Sequence, residues 1–559
     1  MRYLYFMLLC GLSLNAQVHI GGSFDSPLRI DIIPSGTFGE LRNNHFHAGL
    51  DIRTQQKTGF PIYAPFDGFV SRIKVSSFGY GKALYIDHPN GTTTVYGHLE
   101  AYNEDIATFV RKRHYNDQNF EIEMFPKKNE LLVKKGDVIG FTGNSGGSGG
   151  PHLHYEFRDT KTQQILNPLA YGMNTYVKDS KVPIVNSVTV YAIGEGSIVN
   201  QTTIPIQLTY KKKGNELFVA PIKAKGLIGF GVNSYDESDF NYAKNGLYSI
   251  EATLNGEVVY SCIFDAFSFN ESRYVNAVID YSNYSKTNQR IQKLFAEKSF
   301  PLSVLKKVKN KGLIDVKAGE SYIYRVVLSD FNNNQTVIHI PLEYSPLEVK
   351  NNSKEKVGIF IDTGREYIFE KENFIVEFPK GIFYNDFDLN MTVDNKQLSL
   401  HDNTIPLHKN IEITFDAKDV SDIDLDKAFL GRVLEGKTEY YSTRRKGTKF
   451  TIRTRDFGVY ILMDDLIAPV IYKPNFSEGD WLTNSNRVEF YVKDEISGIE
   501  SITGFINGNW ALFDYDYKTN KIVHLFEDGI VASGKNEVSI IVKDKVGNES
   551  KFQTHFYIK

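Results

Sequence analysis

The segment Pro151-His152-Leu153-His154-Tyr155-Glu156-Phe157-Arg158 leaves its backbone few options. Polar and apolar side chains alternate without a break, which is the two-residue period of a half-buried β-strand and not the 3.6-residue period of a helix. As a strand it places His152, His154, Glu156 and Arg158 on one face and Leu153, Tyr155 and Phe157 on the other. One face is a polar site; the other belongs to a core. Two imidazoles a few ångströms apart on such a face suit one metal ligand and one general base. The run from Gly143 to Gly150 just before it carries almost no side chains. A backbone of that kind can approach an extended peptide closely.

Seven of the 13 histidines fall between residues 45 and 154, and four of them lie in short motifs: His47-Ala48-Gly49-Leu50-Asp51, Tyr96-Gly97-His98 and His152-Leu153-His154. A catalytic zinc site takes three protein ligands and leaves its fourth position to water. His47, Asp51 and one histidine of the His152/His154 pair make such a set, and His98 with the remaining histidine is left to handle protons. Other chemistries fail on the same residues. No Gly-Lys-Ser/Thr follows the glycine run, Leu84 stands where a dinucleotide fingerprint starting at Gly79 needs its third glycine, and no His-Glu-x-x-His helix is present. His45, His88 and His114 read as supporting or surface residues, since three ligands and a water complete a site of this kind.

The text around these motifs is β-type, with short runs such as Gly68 to Val75 and Ala83 to His88 and a hairpin turn at Asn90-Gly91. Residues 101–131 interrupt it: Asn103 can cap a helix starting at Glu104-Asp105, with Ile106, Phe109 and Val110 on one side and Arg111, Lys112 and Arg113 in its last turn. The predicted fold is mainly all-β. A chain of 559 residues holds several cores. The reading is a signal peptide at 1–16, a histidine-motif domain at 17–175, and β-sandwiches at 180–345, 346–465 and 466–559. The first and third of these sandwiches look like distant immunoglobulin-like repeats, each opening on Asp-x-x-x-Pro (Asp179, Asp465) and closing on Asp-x-x-x-Asn (Asp330, Asp544).

Met1 to Ala16 has one positive charge, a short apolar run and a small residue at its end, the pattern of a secretory signal. Export to the periplasm or cell envelope follows, with no membrane span after cleavage. Removal of Cys10 leaves only Cys262, read as a buried strand residue. A net charge of -3 argues against nucleic acid as a partner. The basic stretch Lys306 to Lys311 reads as a solvated loop.

Phe38-Gly39-Glu40-x-Arg42, His47-x-x-x-Asp51, Ala64-Pro65-x-x-Gly68, Tyr80-Gly81, Tyr96-Gly97-His98-Leu99, Gly136-Asp137-x-Ile139-Gly140 and Gly150-Pro151-His152-Leu153-His154 occur in that order. In this the chain resembles the lysostaphin-type (LytM family) zinc endopeptidases, over residues 30 to 172. The resemblance implies a compact antiparallel β domain with its site in a groove, and a single zinc held by His47, Asp51 and His154. It implies catalytic roles for His98 and His152 and peptide cross-links of peptidoglycan as substrate. The alternatives are an autoinhibited or non-catalytic regulator of other wall hydrolases, against which the retention of all five residues weighs, and a peptidase acting on glycine-rich or secreted proteins. A protein regulator binding through the β-sandwich modules is a further expected partner. Two departures stand out: the insertion at 101–131, which could narrow the groove, and the absence of a tyrosine that some members place just before the first ligand, where Leu41 or Arg42 stands.

Overall fold

The computed structural model describes residues 24–559 apart from 241, 297, 347 and 350–357. The segment read as a signal peptide, Cys10 included, lies outside the described residues. The fold is mainly β. Its N-terminal sheet runs in the order Pro34–Gly36, Leu50–Arg53, His152–Asp159, Thr92–Leu99, Lys82–Asp87, Gly68–Val75 and Ile122–Met124. Every neighbouring pair is antiparallel. The alternating segment is the strand His152–Asp159, flanked on both sides, so both strands that bear other site residues are its direct neighbours. Its apolar face, Leu153, Tyr155 and Phe157, is fully buried with Ile52, Val70 and Tyr96. The Asn90-Gly91 turn joins Lys82–Asp87 to Thr92–Leu99, with Gly91 at φ +83° where a side chain would be strained.

The helix Glu104–Asp117 starts where Asn103 Oδ1 accepts the Ile106 amide at 3.0 Å. It buries Ile106 and Val110 and runs past Arg113, so the last turn carries His114 in place of the expected basic triplet. The insertion also adds strands. Ala101–Tyr102 pairs with Val138–Phe141, and Ile122–Met124 forms the edge beside Gly68–Val75.

The core of the second unit takes in a few side chains of the first. Phe38, Phe46 and Ala48 sit in one hydrophobic cluster with Phe264, Phe267 and the strands that follow residue 184. Ile165–Leu166 pairs directly with Ala266–Phe267. Two separate clusters lie on either side of residues 175–180, and Phe38, Phe46, Ala48 and Ile165 cross from the first unit into the second cluster. Cys262 is buried in the strand Glu257–Ile263. The basic stretch departs in part from the expected loop: Leu305–Val308 is an edge strand on Glu257–Ile263, while Lys309 to Lys311 form an exposed turn. Leu305 and Val308 pack on the core, while Lys306 pairs with Asp265 at 2.9 Å and Lys309 with Glu257 at 2.6 Å. Two five-stranded sheets then enclose Phe374, Phe415 and Leu430, and two four-stranded sheets enclose Val488, Phe490 and Val538.

Because Leu153 is fully buried on the reverse side of the site strand, Leu153→Ala should destabilise the N-terminal unit by about 3 kcal/mol. Denaturant unfolding followed on this variant checks it; a loss under about 1 kcal/mol would mean that the strand is not central to the core.

Candidate active site

Three strands and one connecting segment converge on the site. Asp51 lies on Leu50–Arg53, His152 and His154 on His152–Asp159, and His98 near the end of Thr92–Leu99. His47 stands in the turn before Leu50. The register pairs His154 with Asp51 on one side and with Gly97 on the other, which draws the three motifs to one point. His98 has φ +61°, a conformation that a non-glycine residue holds only under constraint. Its amide is tied to the Tyr80 carbonyl at 2.8 Å, so the twist that turns its ring inward is held by the turn before Lys82–Asp87.

His47 Nε2, Asp51 Oδ1 and His154 Nδ1 lie 3.1, 3.2 and 2.8 Å from one another. Ligands on a tetrahedral ion with bonds of ~2.0–2.1 Å are separated by roughly 3.3 Å, so these atoms form one face of such a site. The outer nitrogens explain why the lone pairs point there. His47 Nδ1 donates to the Thr37 carbonyl at 2.9 Å, and His154 Nε2 donates to Glu156 Oε1 at 2.9 Å. A carbonyl or carboxylate only accepts, which fixes the proton on the outer nitrogen and frees the inner one. Arg42 binds the other oxygen of Asp51 at 2.6 Å. The three residues thus fit a divalent transition-metal ion.

The two remaining histidines are preset in the same way. His98 Nδ1 donates to the Ser145 carbonyl and His152 Nδ1 to the Gly150 carbonyl, each at 2.8 Å, leaving both Nε2 atoms as acceptors. Ser148 Oγ lies 3.1 Å from His152 Nδ1. The rings of His98 and His152 are 4.8 Å apart, and His152 Nε2 is 3.5 Å from Asp51 Oδ1. The glycine loop therefore does more than clear space: its carbonyls orient both bases. Gly81 and Gly146 make this possible, since a Cβ on either would lie within 2.6 Å of the other's backbone.

Burial and charge divide the imidazoles. Burial pushes His47 down to about 4 and, together with the charges of His154 and His152, pushes His98 down to about 3. Burial acts in the same direction on His154, but its bonds to Asp51 and Glu156 override it and hold His154 up to about 9. Asp51 lies well below the usual carboxylate range because three histidines outweigh its burial. Glu156, wholly buried, is held ionised by Arg158 at 2.6 Å, by His154 and by the Tyr80 hydroxyl.

All five residues singled out in the sequence, His47, Asp51, His98, His152 and His154, meet here. His45 does not: it is exposed and bonds the Asn43 carbonyl. His88 and His114 are buried structural residues, bonded to Asp67 and Thr94 and to Asn119 respectively. Arg42, Tyr80, Glu156 and Arg158 hold the ligands without having been given roles from sequence. Arg42 and Tyr80 were visible only as motif letters, and Glu156 and Arg158 only as residues on the polar face.

Residues 45–115 match peptidase family M23, and residues 359–465 match the Zu5-like domain. The DD-carboxypeptidase/endopeptidase Mpg of Neisseria meningitidis is 35% identical over 135 residues, covering 24% of this chain and 25% of that protein. The peptidoglycan DD-endopeptidase ShyC of Vibrio cholerae is 34% identical over 111 residues, covering 20% of each. The chain thus spans a quarter or less of the length of these relatives. Among solved structures, a mutant catalytic domain of the prophage-encoded M23 protein EnpA from Enterococcus faecalis is 28% identical, covering 27% of this chain and 99% of that one, with a TM-score of 0.21. The N-terminal unit that carries the His47, Asp51 and His154 cluster is a peptidase family M23 domain.

Proposed function

We propose that this protein is an exported zinc endopeptidase that hydrolyses peptide cross-links of peptidoglycan. The observation that carries the reading is the set of three inward lone pairs on His47, Asp51 and His154, each fixed by an outward bond, beside two further imidazoles that are also preset as acceptors. Zinc suits two imidazoles and a carboxylate at these separations. When bound, the ion supplies Lewis acidity, lowering the pKa of its water toward about 7 and polarising the scissile carbonyl.

The chain's own residues do the rest. An extended peptide lies along Gly149 and Gly150, where a Cβ would meet nothing within 4 Å. His98 and His152 face it with unprotonated Nε2 atoms: they take a proton from the attacking water and return one to the departing amine. Burial keeps His98 neutral, so its Nε2 stays available as an acceptor. Peptidoglycan is favoured as substrate class by the names of the relatives, which include a peptidoglycan DD-endopeptidase. The signal-like N-terminus supports an envelope location, and among the described residues no helix is long and apolar enough to cross a membrane. The remaining β modules position the peptidase on the wall or on a protein regulator.

A second reading, a restrained peptidase, is favoured by one contact. The turn between Asp514–Asp516 and Lys521–Leu525 reaches the glycine loop, where Lys518 Nζ donates to the carbonyls of Asn144 and Ser148 and Tyr517 stacks on Phe78 at 4.5 Å. Lys82–Asp514 at 2.6 Å and Arg111–Glu527 at 3.3 Å fasten the same module to the strand Lys82–Asp87 and to the inserted helix. The helix therefore serves as a dock for the C-terminal module.

Purified sacculi digested with the full chain and analysed by mass spectrometry should lose cross-linked dimers and gain monomers. His98→Ala and His152→Ala should each slow this by roughly 10² to 10⁴ while retaining bound zinc. Digestion at an unchanged rate in both variants would remove the proposed roles. If the hairpin restrains the loop, Lys518→Ala should raise turnover of a soluble cross-linked muropeptide by roughly tenfold, equivalent to about 1.4 kcal/mol of restraint; an unchanged rate discards the second reading.

A further inference from the structure

Away from the peptidase site, Asp179, Asp236 and Asp330 bring one carboxylate oxygen each to within 4.8 Å of one another. They line a small cavity of about 40 Å³ at the seam between the M23 domain and the module behind it. Crowded carboxylates alone do not make a site. What singles this cavity out is two further side chains that line it, Ser238 and Asn245, only 3% and 2% exposed. Ser238 Oγ and Asn245 Oδ1 have no hydrogen-bond partner, and neither has Asp236 Oδ1. A buried polar oxygen without a partner costs about 1–3 kcal/mol, and three around one cavity point to a ligand that satisfies all of them.

We infer that Asp179, Asp236 and Asp330, with Asn245 Oδ1 and Ser238 Oγ, form a calcium site. Every donor is oxygen, which selects a hard cation, and the mixture of carboxylate, amide and hydroxyl matches the 6–8 ligands at about 2.3–2.6 Å that calcium takes, with water completing the shell. Ligand atoms on opposite sides of such an ion are at most about 5 Å apart, and the three carboxylate oxygens lie within that limit. The cavity exceeds the roughly 10–15 Å³ that one water needs, so ion and water both fit. Without a cation the group is frustrated: burial, and after it the charges of Asp179 and Asp330, push Asp236 upward.

The loops are built to hold this shape. Asn334 donates its amide and its side chain to the two oxygens of Asp330, at 2.7 and 2.6 Å, and reaches the Asp179 carbonyl at 3.2 Å. Asp236 and Asn245 exchange both backbone bonds at 2.9 Å. The next residue, Gly246, donates to Thr37 Oγ1 at 2.9 Å, and the Thr37 carbonyl is the acceptor that orients His47. A cation here braces the segment against which the first ligand of the peptidase site is set.

A second triad, Asp465, Asp494 and Asp544, repeats the loop design, with Asn548 in the place of Asn334. There Asp465 and Asp494 accept from the amides of Ser497 and Gly498, and no side chain of the triad is among the described unpartnered atoms. It serves as the internal control.

Calcium chloride titrated by calorimetry into zinc-loaded full-length protein, at fixed ionic strength, should reveal one saturable site, and calcium should raise the melting temperature. Asp236→Asn should weaken that binding at least 100-fold and Ser238→Ala about tenfold, while Asp544→Asn leaves it unchanged. If Asp236→Asn does not fold, the half-exposed Asp179→Asn gives the same readout. No calcium binding up to about 10 mM, roughly ten times the weak limit of about 1 mM for extracellular calcium modules, would overturn the inference. So would binding that survives Asp236→Asn, binding lost in Asp544→Asn instead, or tighter binding of magnesium chloride.

Discussion

An imidazole has two nitrogens, and only one can face a metal; what the other nitrogen touches decides whether the first carries a lone pair or a proton. In this site four rings have their outer nitrogen committed to an oxygen that can only accept: Thr37 for His47, Glu156 for His154, Ser145 for His98 and Gly150 for His152. Every inner nitrogen is therefore turned toward the centre of the site, where its lone pair can serve a cation. The strand register delivers the rings, but these four bonds give them their chemistry.

The surrounding charges are arranged to tolerate that. Asp51 and Glu156 are buried anions, compensated at their outer oxygens by Arg42 and Arg158. Buried pairs of this kind contribute little net stability but are damaging to break. Their role is placement: Glu156 can steer His154 only while Arg158 and Tyr80 keep it ionised and in position. In the metal-free chain the same field draws a proton onto His154, held up to about 9, so that a proton occupies the electrostatic place of the cation.

The ligands and the strand that carries two of them were legible in the sequence because each is encoded locally. Alternation at 151–158 specifies a strand with one polar face, and the spacing of His47, Asp51, His98, His152 and His154 follows from short motifs on neighbouring strands. The tautomers were not legible, since three of the four acceptors are backbone carbonyls and a carbonyl has no residue signature. Contacts that depend on distant segments were hidden for the same reason. Nothing near Thr37 announces Gly246, nothing near Ser148 announces Lys518, and the sharing of one core by Phe46 and Phe267 crosses a boundary that composition placed at 175–180. In the Lys306 to Lys311 stretch the charges hide Leu305 and Val308, which anchor its first residues as a strand, while Lys309 to Lys311 form the exposed turn that the charges suggested.

The central claim, that this lone-pair cage holds one zinc, is tested most directly by zinc-edge X-ray absorption on the purified full chain with its metal content quantified. The account predicts one zinc per chain, two imidazole nitrogens and oxygen donors at about 2.0–2.1 Å, no sulfur, and loss of the ion in His154→Ala. An all-oxygen shell, a sulfur ligand, or full zinc retention in that variant would contradict it.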